Sequence, residues 1–155
     1  MTPAINMAKK HKIIHTIHQY QHDPASEAYG LEAAEKLNID NNRVFKTLVV
    51  SIDTRTLAVA IIPVANKLSL KAMAKALNVK KVAMALPGDV ERSTGYVLGG
   101  VSPLGQKKLL ATVIDDSGAE FDTIFVSAGK RGMEIELSFN DLKNLTKAKS
   151  EHIKC

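Results

Sequence analysis

Residues 44–52, Val44-Phe45-Lys46-Thr47-Leu48-Val49-Val50-Ser51-Ile52, and residues 57–64, Leu57-Ala58-Val59-Ala60-Ile61-Ile62-Pro63-Val64, decide the fold class. Both runs are apolar and rich in β-branched side chains, and only Asp53-Thr54-Arg55-Thr56 separates them. That pattern predicts a β-hairpin of a well-buried sheet. Away from it the periodicity changes. Thr2-Pro3 has the form of an N-cap followed by a first-turn proline and opens a helix through about residue 10. Residues 13–20 read as a strand, His22-Asp23-Pro24-Ala25 as a turn, and residues 29–37 as a short amphipathic helix with Leu31, Ala34 and Leu37 at helical spacing. Leu70, Met73, Ala74 and Leu77 mark a helix over 69–77, residues 81–85 a short strand, and Pro87 the start of a helix to residue 93. Residues 109–114 and 121–126 are expected to pair as a second hairpin around Asp115-Asp116-Ser117-Gly118, and residues 133–137 to form a further strand. Ser138-x-x-Asp141 caps a last helix. Helices and strands mixed without regular βαβ alternation predict a single α+β domain over 1–155 with a mainly antiparallel or mixed sheet.

Composition narrows the function class. The 155 residues are 45% hydrophobic and 24% charged, ordinary for a globular protein. The net charge of +5 favours a polyanionic partner, but the basic pairs Lys9-Lys10, Lys80-Lys81, Lys107-Lys108 and Lys130-Arg131 are scattered. Aromatics are 5% with no Trp, which argues against a base-stacking platform for single strands. Cys155 is the only cysteine, so no internal disulfide or Cys-type metal spacing exists. No apolar run reaches the ~20 residues that span a bilayer, and the expectation is a cytoplasmic protein.

Several constellations carry possible chemistry. Residues 95–105, Gly95-Tyr96-Val97-Leu98-Gly99-Gly100-Val101-Ser102-Pro103-Leu104-Gly105, hold four glycines and a proline. Such a segment is a shaped loop, either turning its backbone N–H and C=O groups to a ligand or simply closing a turn. Lys46 is a lone charge in an apolar strand. It either reaches a cleft, where a desolvated ammonium binds phosphate or polarises an ester carbonyl, or snorkels to the surface. Ser127-Ala128-Gly129-Lys130-Arg131-Gly132 combines a hydroxyl, glycines and two cations, as an anion nest or a solvated turn. Glu134 and Glu136 share one strand face, able to hold a substrate amine or to form a row in solvent. His11, His15, His18 and His22 have helical spacing, but Ile13-Ile14-His15-Thr16-Ile17 favours a strand, on which His15 and His18 point apart. No metal site is expected. A P-loop, a strand–GxGxxG–helix and a Gly-x-Ser-x-Gly elbow are all absent.

Taken together, these segments resemble the YbaK/EbsC family of bacterial editing proteins, more narrowly its YbaK-type Cys-tRNA(Pro) deacylase branch. The similarity runs almost end to end. It is most specific in His22-Asp23-Pro24, Val44-Phe45-Lys46-Thr47-Leu48, Arg92-Ser93-Thr94-Gly95-Tyr96, the run from Gly99 through Pro103 to Lys108, and Ser127 through Gly132. The resemblance implies an α+β fold with a central mixed, barrel-like sheet and peripheral helices. It also implies cleavage of the ester joining a wrong amino acid to the tRNA 3′ end. By that resemblance Lys46 is the essential lysine, and Gly99, Gly100, Val101, Ser102 and Pro103 form the GxxxP loop that cradles the terminal adenosine. Tyr20, Tyr29, Ser127 and Glu134 match further substrate-binding positions. Two of these depart from the family pattern: Tyr29 stands for a phenylalanine, and Glu134 for an aspartate, with one methylene more.

The mechanism attached to this branch is substrate-assisted: the thiol of the misattached cysteine attacks its own carbonyl and releases tRNA. That suits a chain without an evident protein nucleophile, since holding thiol and ester together raises their effective molarity. No cofactor and no metal are implied. The implied partners are misacylated tRNA and prolyl-tRNA synthetase, with no membrane and no DNA. Two other readings stay open: a related pocket that removes another small residue such as alanine, and a non-catalytic tRNA or nucleotide binder beside the synthetase.

Overall fold

The computed structural model describes residues 1–53 and 55–155; Thr54, placed by the sequence in the turn of the first hairpin, lies outside the described residues. The elements run α1 (Pro3–Lys10), β1 (Thr16–Gln19), α2 (Tyr29–Leu37), β2 (Phe45–Ser51), β3 (Leu57–Pro63), α3 (Leu70–Ala76), β4 (Ala83–Met84) and α4 (Pro87–Thr94). They continue with β5 (Ala111–Asp115), a 3-10 turn (Asp116–Glu120), β6 (Ile124–Lys130), β7 (Met133–Leu137), α5 (Phe139–Thr146) and β8 (Lys149–Glu151). The class is α+β, as expected.

The helix ends follow their sequence signals. Thr2 accepts a hydrogen bond from Ile5 N at 3.2 Å ahead of Pro3, and Ser138 accepts one from Asp141 N at 3.1 Å, so both caps satisfy otherwise orphaned amides. Asn38 ends α2 in the left-handed region at φ 56°. No helix among the described residues is long and apolar enough to cross a membrane.

The hairpin at residues 44–64 is central. β2 and β3 pair antiparallel from Phe45↔Pro63 to Ser51↔Leu57. On β3, Val59 and Ile61 enter the main core, while Ala58, Ala60 and Ile62 enter a second core with Met73 and Ala74 of α3. A strand buried on both faces has no reason to alternate, which explains its unbroken apolar run. β5 lies parallel to β3 and β8 parallel to β5, completing a mixed five-stranded sheet ordered β4-β2-β3-β5-β8. A separate antiparallel sheet is ordered β1-β7-β6.

The barrel-like sheet expected from the resemblance is therefore not reached. Among the described residues the two sheets meet at one parallel bridge, Val44↔Phe125, and their outer strands do not pair with one another. The second hairpin also fails: β5 and β6 belong to different sheets. Its physical cause is Asp115. This fully buried carboxylate accepts hydrogen bonds from Ile153 N at 2.9 Å, Lys154 N at 3.0 Å and Ser117 N at 3.2 Å. The chain after β5 is thereby bent into the 3-10 turn and held to the C-terminal segment, not returned alongside β5. The first strand is shorter than residues 13–20, because Ile14 is 89% exposed and only Thr16–Gln19 pair with β7.

Replacing Asp115 by Ala leaves the buried Ile153 amide and the part-buried Lys154 and Ser117 amides without this acceptor. Asp115→Ala is expected to lower stability by about 2–3 kcal/mol, measured by chemical denaturation; an unchanged midpoint would show that the carboxylate does not hold the C-terminal segment.

Candidate active site

Along one edge of β2, Phe125 N donates to Arg43 O and Ala85 N donates to Val49 O. Between those points β4 does not follow, since it pairs only with Val50 and Ser51. Strand periodicity turns the backbone groups of Phe45 and Thr47 to the same unpaired edge. That gap is one wall of a cavity of about 440 Å³, completed by the start of α2, residues 84–90, the glycine loop and strands β6 and β7. Leu31, Met84 and Leu98, each 40–49% exposed, mark its open rim.

Seven residues singled out from the sequence line this cavity: Tyr20, Tyr29, Lys46, Gly99, Val101, Ser127 and Glu134. They come from six separate segments. Gly100, Ser102 and Pro103 do not line it. Gly100 is packed against the backbone of Lys130 and Arg131. Ser102 is fully buried, its hydroxyl accepting from Leu104 N at 3.2 Å, and Pro103 faces a separate small cavity with Met7. These three shape the loop from behind.

Lys46 lies half-buried at the cavity, and among the described residues no carboxylate pairs with it. Burial, and then the charge of Lys67, lowers its ammonium below the usual lysine value. Glu134, opposite Ser127 on β6 and His18 on β1, is only 6% exposed. Burial pushes its carboxyl up to about 8, which leaves it largely protonated at neutral pH. Burial, and then the Glu134 charge, raises the Tyr20 phenol to about 12. Glu136, on the same strand face, is engaged elsewhere by His18 at 2.8 Å and Arg43 at 3.6 Å.

Tyr29 is held by its surroundings. Glu32, three residues further along α2, is buried and accepts from Asp23 N at 2.7 Å, contacts His22 Nδ1 at 2.6 Å and pairs with Lys36 at 3.1 Å. Burial raises its carboxyl, but these bonds outweigh that and bring it to about 2. The bonds tie the His22-Asp23-Pro24 turn, directly after Tyr20, to the helix that begins with Tyr29. The other histidines go separate ways, His11 to Met7 O and His15 to Ile13 O.

Sequence reasoning gave Thr47 no role and named Arg131 only as one of two cations in the candidate anion nest of residues 127–132. Thr47 lines the cavity, and its buried hydroxyl has no hydrogen-bond partner among the described residues. Its position beside Lys46, at an unpaired strand edge, was the available signal. The Arg131 guanidinium lies over the Tyr29 ring, 4.8 Å from its centroid, and donates from Nε to Leu98 O at 2.9 Å. A turn motif alone does not reveal that cross-packing.

A cation without an ionic partner among the described residues, a protonated acid, hydroxyls and a glycine-shaped wall together offer polar groups to a ligand. Among the described residues, neither histidine nor cysteine lines the cavity. The model of the aminoacyl-tRNA editing domain matches residues 23–145, and the chain belongs to this family. It is 40% identical over 146 residues, 94% of this chain and 88% of the relative, to the Enterococcus faecalis protein named "Putative Cys-tRNA(Pro)/Cys-tRNA(Cys) deacylase EbsC". Two crystal structures share the fold. A hypothetical protein, APE2540, aligns with TM-score 0.88 at 21% identity, over 99% of this chain and 100% of the other. "A putative trans-editing enzyme for prolyl tRNA synthetase" aligns with TM-score 0.81 at 19% identity, over 100% and 99%.

Because folding raises the Glu134 pKa from 4.5 to about 8, the folded state holds a proton that the unfolded state has lost. Wild-type stability therefore falls as pH rises through that window. Glu134→Gln removes the penalty and is expected to gain on the order of 2–3 kcal/mol over wild type at pH 7, with little difference at pH 4. Thermal melts at several pH values read this; a pH-independent difference would contradict the protonated carboxyl.

Proposed function

We propose that this protein is an aminoacyl-tRNA deacylase acting in trans, that its substrate is cysteine misattached to tRNA(Pro), and that the whole chain, 1–155, works as one cytoplasmic editing domain. The observation that carries the reading is the meeting of Lys46 and Gly99 in one cavity, although they lie far apart in the chain. Family membership supports the reaction class, and the name of the Enterococcus relative supports the amino acid.

The lining suits intramolecular cleavage. Ser127 offers a hydroxyl, but it already accepts from Gly129 N at 3.2 Å, and among the described residues no histidine lines the cavity beside it. A positioned base is what a serine needs to attack. The substrate thiol supplies the nucleophile instead: its sulfur bonds to the carbonyl carbon, the ester C–O bond breaks, and the thiol proton ends on the departing ribose oxygen. The protein holds sulfur and carbonyl in attack geometry, for which effective molarities of about 10⁵–10⁸ M are attainable. Lys46 takes the developing negative charge of the carbonyl or the adjacent phosphate, and loop amides assist. Glu134 receives the cysteine α-ammonium, whose charge draws the carboxyl into its ionised form. Net charge +5 gives capture without tRNA identity, so prolyl-tRNA synthetase is the partner that selects the tRNA.

Lys46→Ala breaks no described ion pair and is expected to fold normally while losing at least ~100-fold in deacylation of Cys-tRNA(Pro); wild-type turnover would remove Lys46 from the mechanism. A tRNA carrying S-methylcysteine is expected to bind as well as Cys-tRNA(Pro) yet be cleaved at least ~100-fold more slowly. Equal cleavage, or rapid release of alanine, would place the nucleophile on water or the ribose.

A further inference from the structure

The turn that joins β6 and β7 is not solvated on all sides. Its backbone lies under the glycine loop: a Cβ on Gly100 would come within 2.8 Å of Lys130 Cα, and one on Gly99 within 2.7 Å of Arg131 Nε. This packing brings Arg131 to the rim of the cavity, beside three of its lining residues, Tyr29, Leu98 and Gly99. The side chain is exposed, yet its orientation is set twice. One face lies on the Tyr29 ring, and Nε is committed to the Leu98 carbonyl.

What remains is the outer edge of the guanidinium. Among the described residues its two terminal nitrogens have no acceptor, and no carboxylate neutralises the charge. Arg43 differs, being paired with Glu136 and Thr123, and so does Arg92, paired with Asp89. An oriented, unneutralised guanidinium matches a tetrahedral oxyanion through two parallel N–H···O bonds, whereas a flexible ammonium such as that of Lys130 offers only a point charge. An acylated RNA end that places its ester inside the cavity carries a phosphodiester on the acylated nucleotide, just outside it.

We infer that Arg131 is a phosphate-binding residue at the cavity rim, gripping the RNA backbone next to the acylated ribose while Tyr29 and Leu98 hold its plane. The inference rests on the proposed aminoacyl-RNA substrate and extends it to a residue outside the cavity lining. In this role Arg131 sets how the 3′ end is presented and takes no part in bond cleavage.

The test compares wild type, Arg131→Gln and Arg131→Lys on two readouts. In the first, an uncharged RNA minihelix ending in CCA is titrated by fluorescence anisotropy over a range of KCl. Arg131→Gln is expected to bind about 10-fold more weakly, with a salt slope shallower by about one phosphate contact. Arg131→Lys keeps the slope and loses affinity several-fold. In the second, KM for aminoacyl-tRNA rises about 10-fold in Arg131→Gln with kcat within about twofold, while cleavage of the same aminoacyl ester of phosphate-free adenosine is unchanged. Equal losses on tRNA and on the adenosine ester would make Arg131 a brace for the loop and overturn the inference. So would unaltered minihelix affinity and slope. If wild type cleaves no aminoacyl-tRNA, the deacylase reading fails, and the minihelix titration still decides the role of Arg131.

Discussion

Between residues 99–100 and 130–131 two stretches of chain approach more closely than any side chain at the glycines would allow. The site depends on that approach. Gly99 has φ +83°, a conformation that disfavours other residues, and the space its Cβ would need is taken by Arg131 and the Tyr29 ring. The contact joins the loop after α4 to the turn between β6 and β7, and so fixes one wall of the cavity. A second wall exists because β4 pairs with β2 over only two residues. A strand edge opened by an early-ending neighbour and a loop thinned by glycine together make room in an otherwise well-packed α+β core.

Three buried or half-buried glutamates show how surroundings assign roles to one residue type. Burial pushes all three carboxyls up. At Glu32 the Asp23 amide, His22 and Lys36 reverse the effect, and at Glu136 Thr123, His18 and Arg43 do the same. Both are ionised structural anchors. Glu134 has no such company, so it stays up at about 8 and faces the cavity as an acid awaiting a partner. Lys46 is its cationic counterpart: desolvated, without a carboxylate, and most favourably satisfied by a ligand. The deposit of uncompensated polarity in one place is what separates the site from the ion pairs around it.

Much of this was legible in the sequence because local chemistry decided it. The hairpin of residues 44–64, the caps at Thr2 and Ser138 and the α2 span came from patterns spanning a few residues. What failed was long-range. The pairing of residues 109–114 with 121–126 looked natural, but the buried Asp115 carboxylate binds amides nearly forty positions away, and no local signal announces that. β8 went unread because Lys149–Glu151 is short and polar, a strand only by virtue of its neighbour β5. At the site, Lys46 stood out as a charge in an apolar run. The resemblance pointed to Glu134, whereas alternation alone could not separate its role from that of Glu136. Thr47 and Arg131 acquire meaning only through segments that fold beside them.

The most direct measurement is a crystal structure of the protein with a non-hydrolysable cysteinyl-adenosine analogue. The account predicts the aminoacyl group between Lys46 and Glu134, with the sugar against Gly99. An analogue bound elsewhere on the surface, or lying in the cavity with its carbonyl turned away from both Lys46 and the glycine loop, would contradict it.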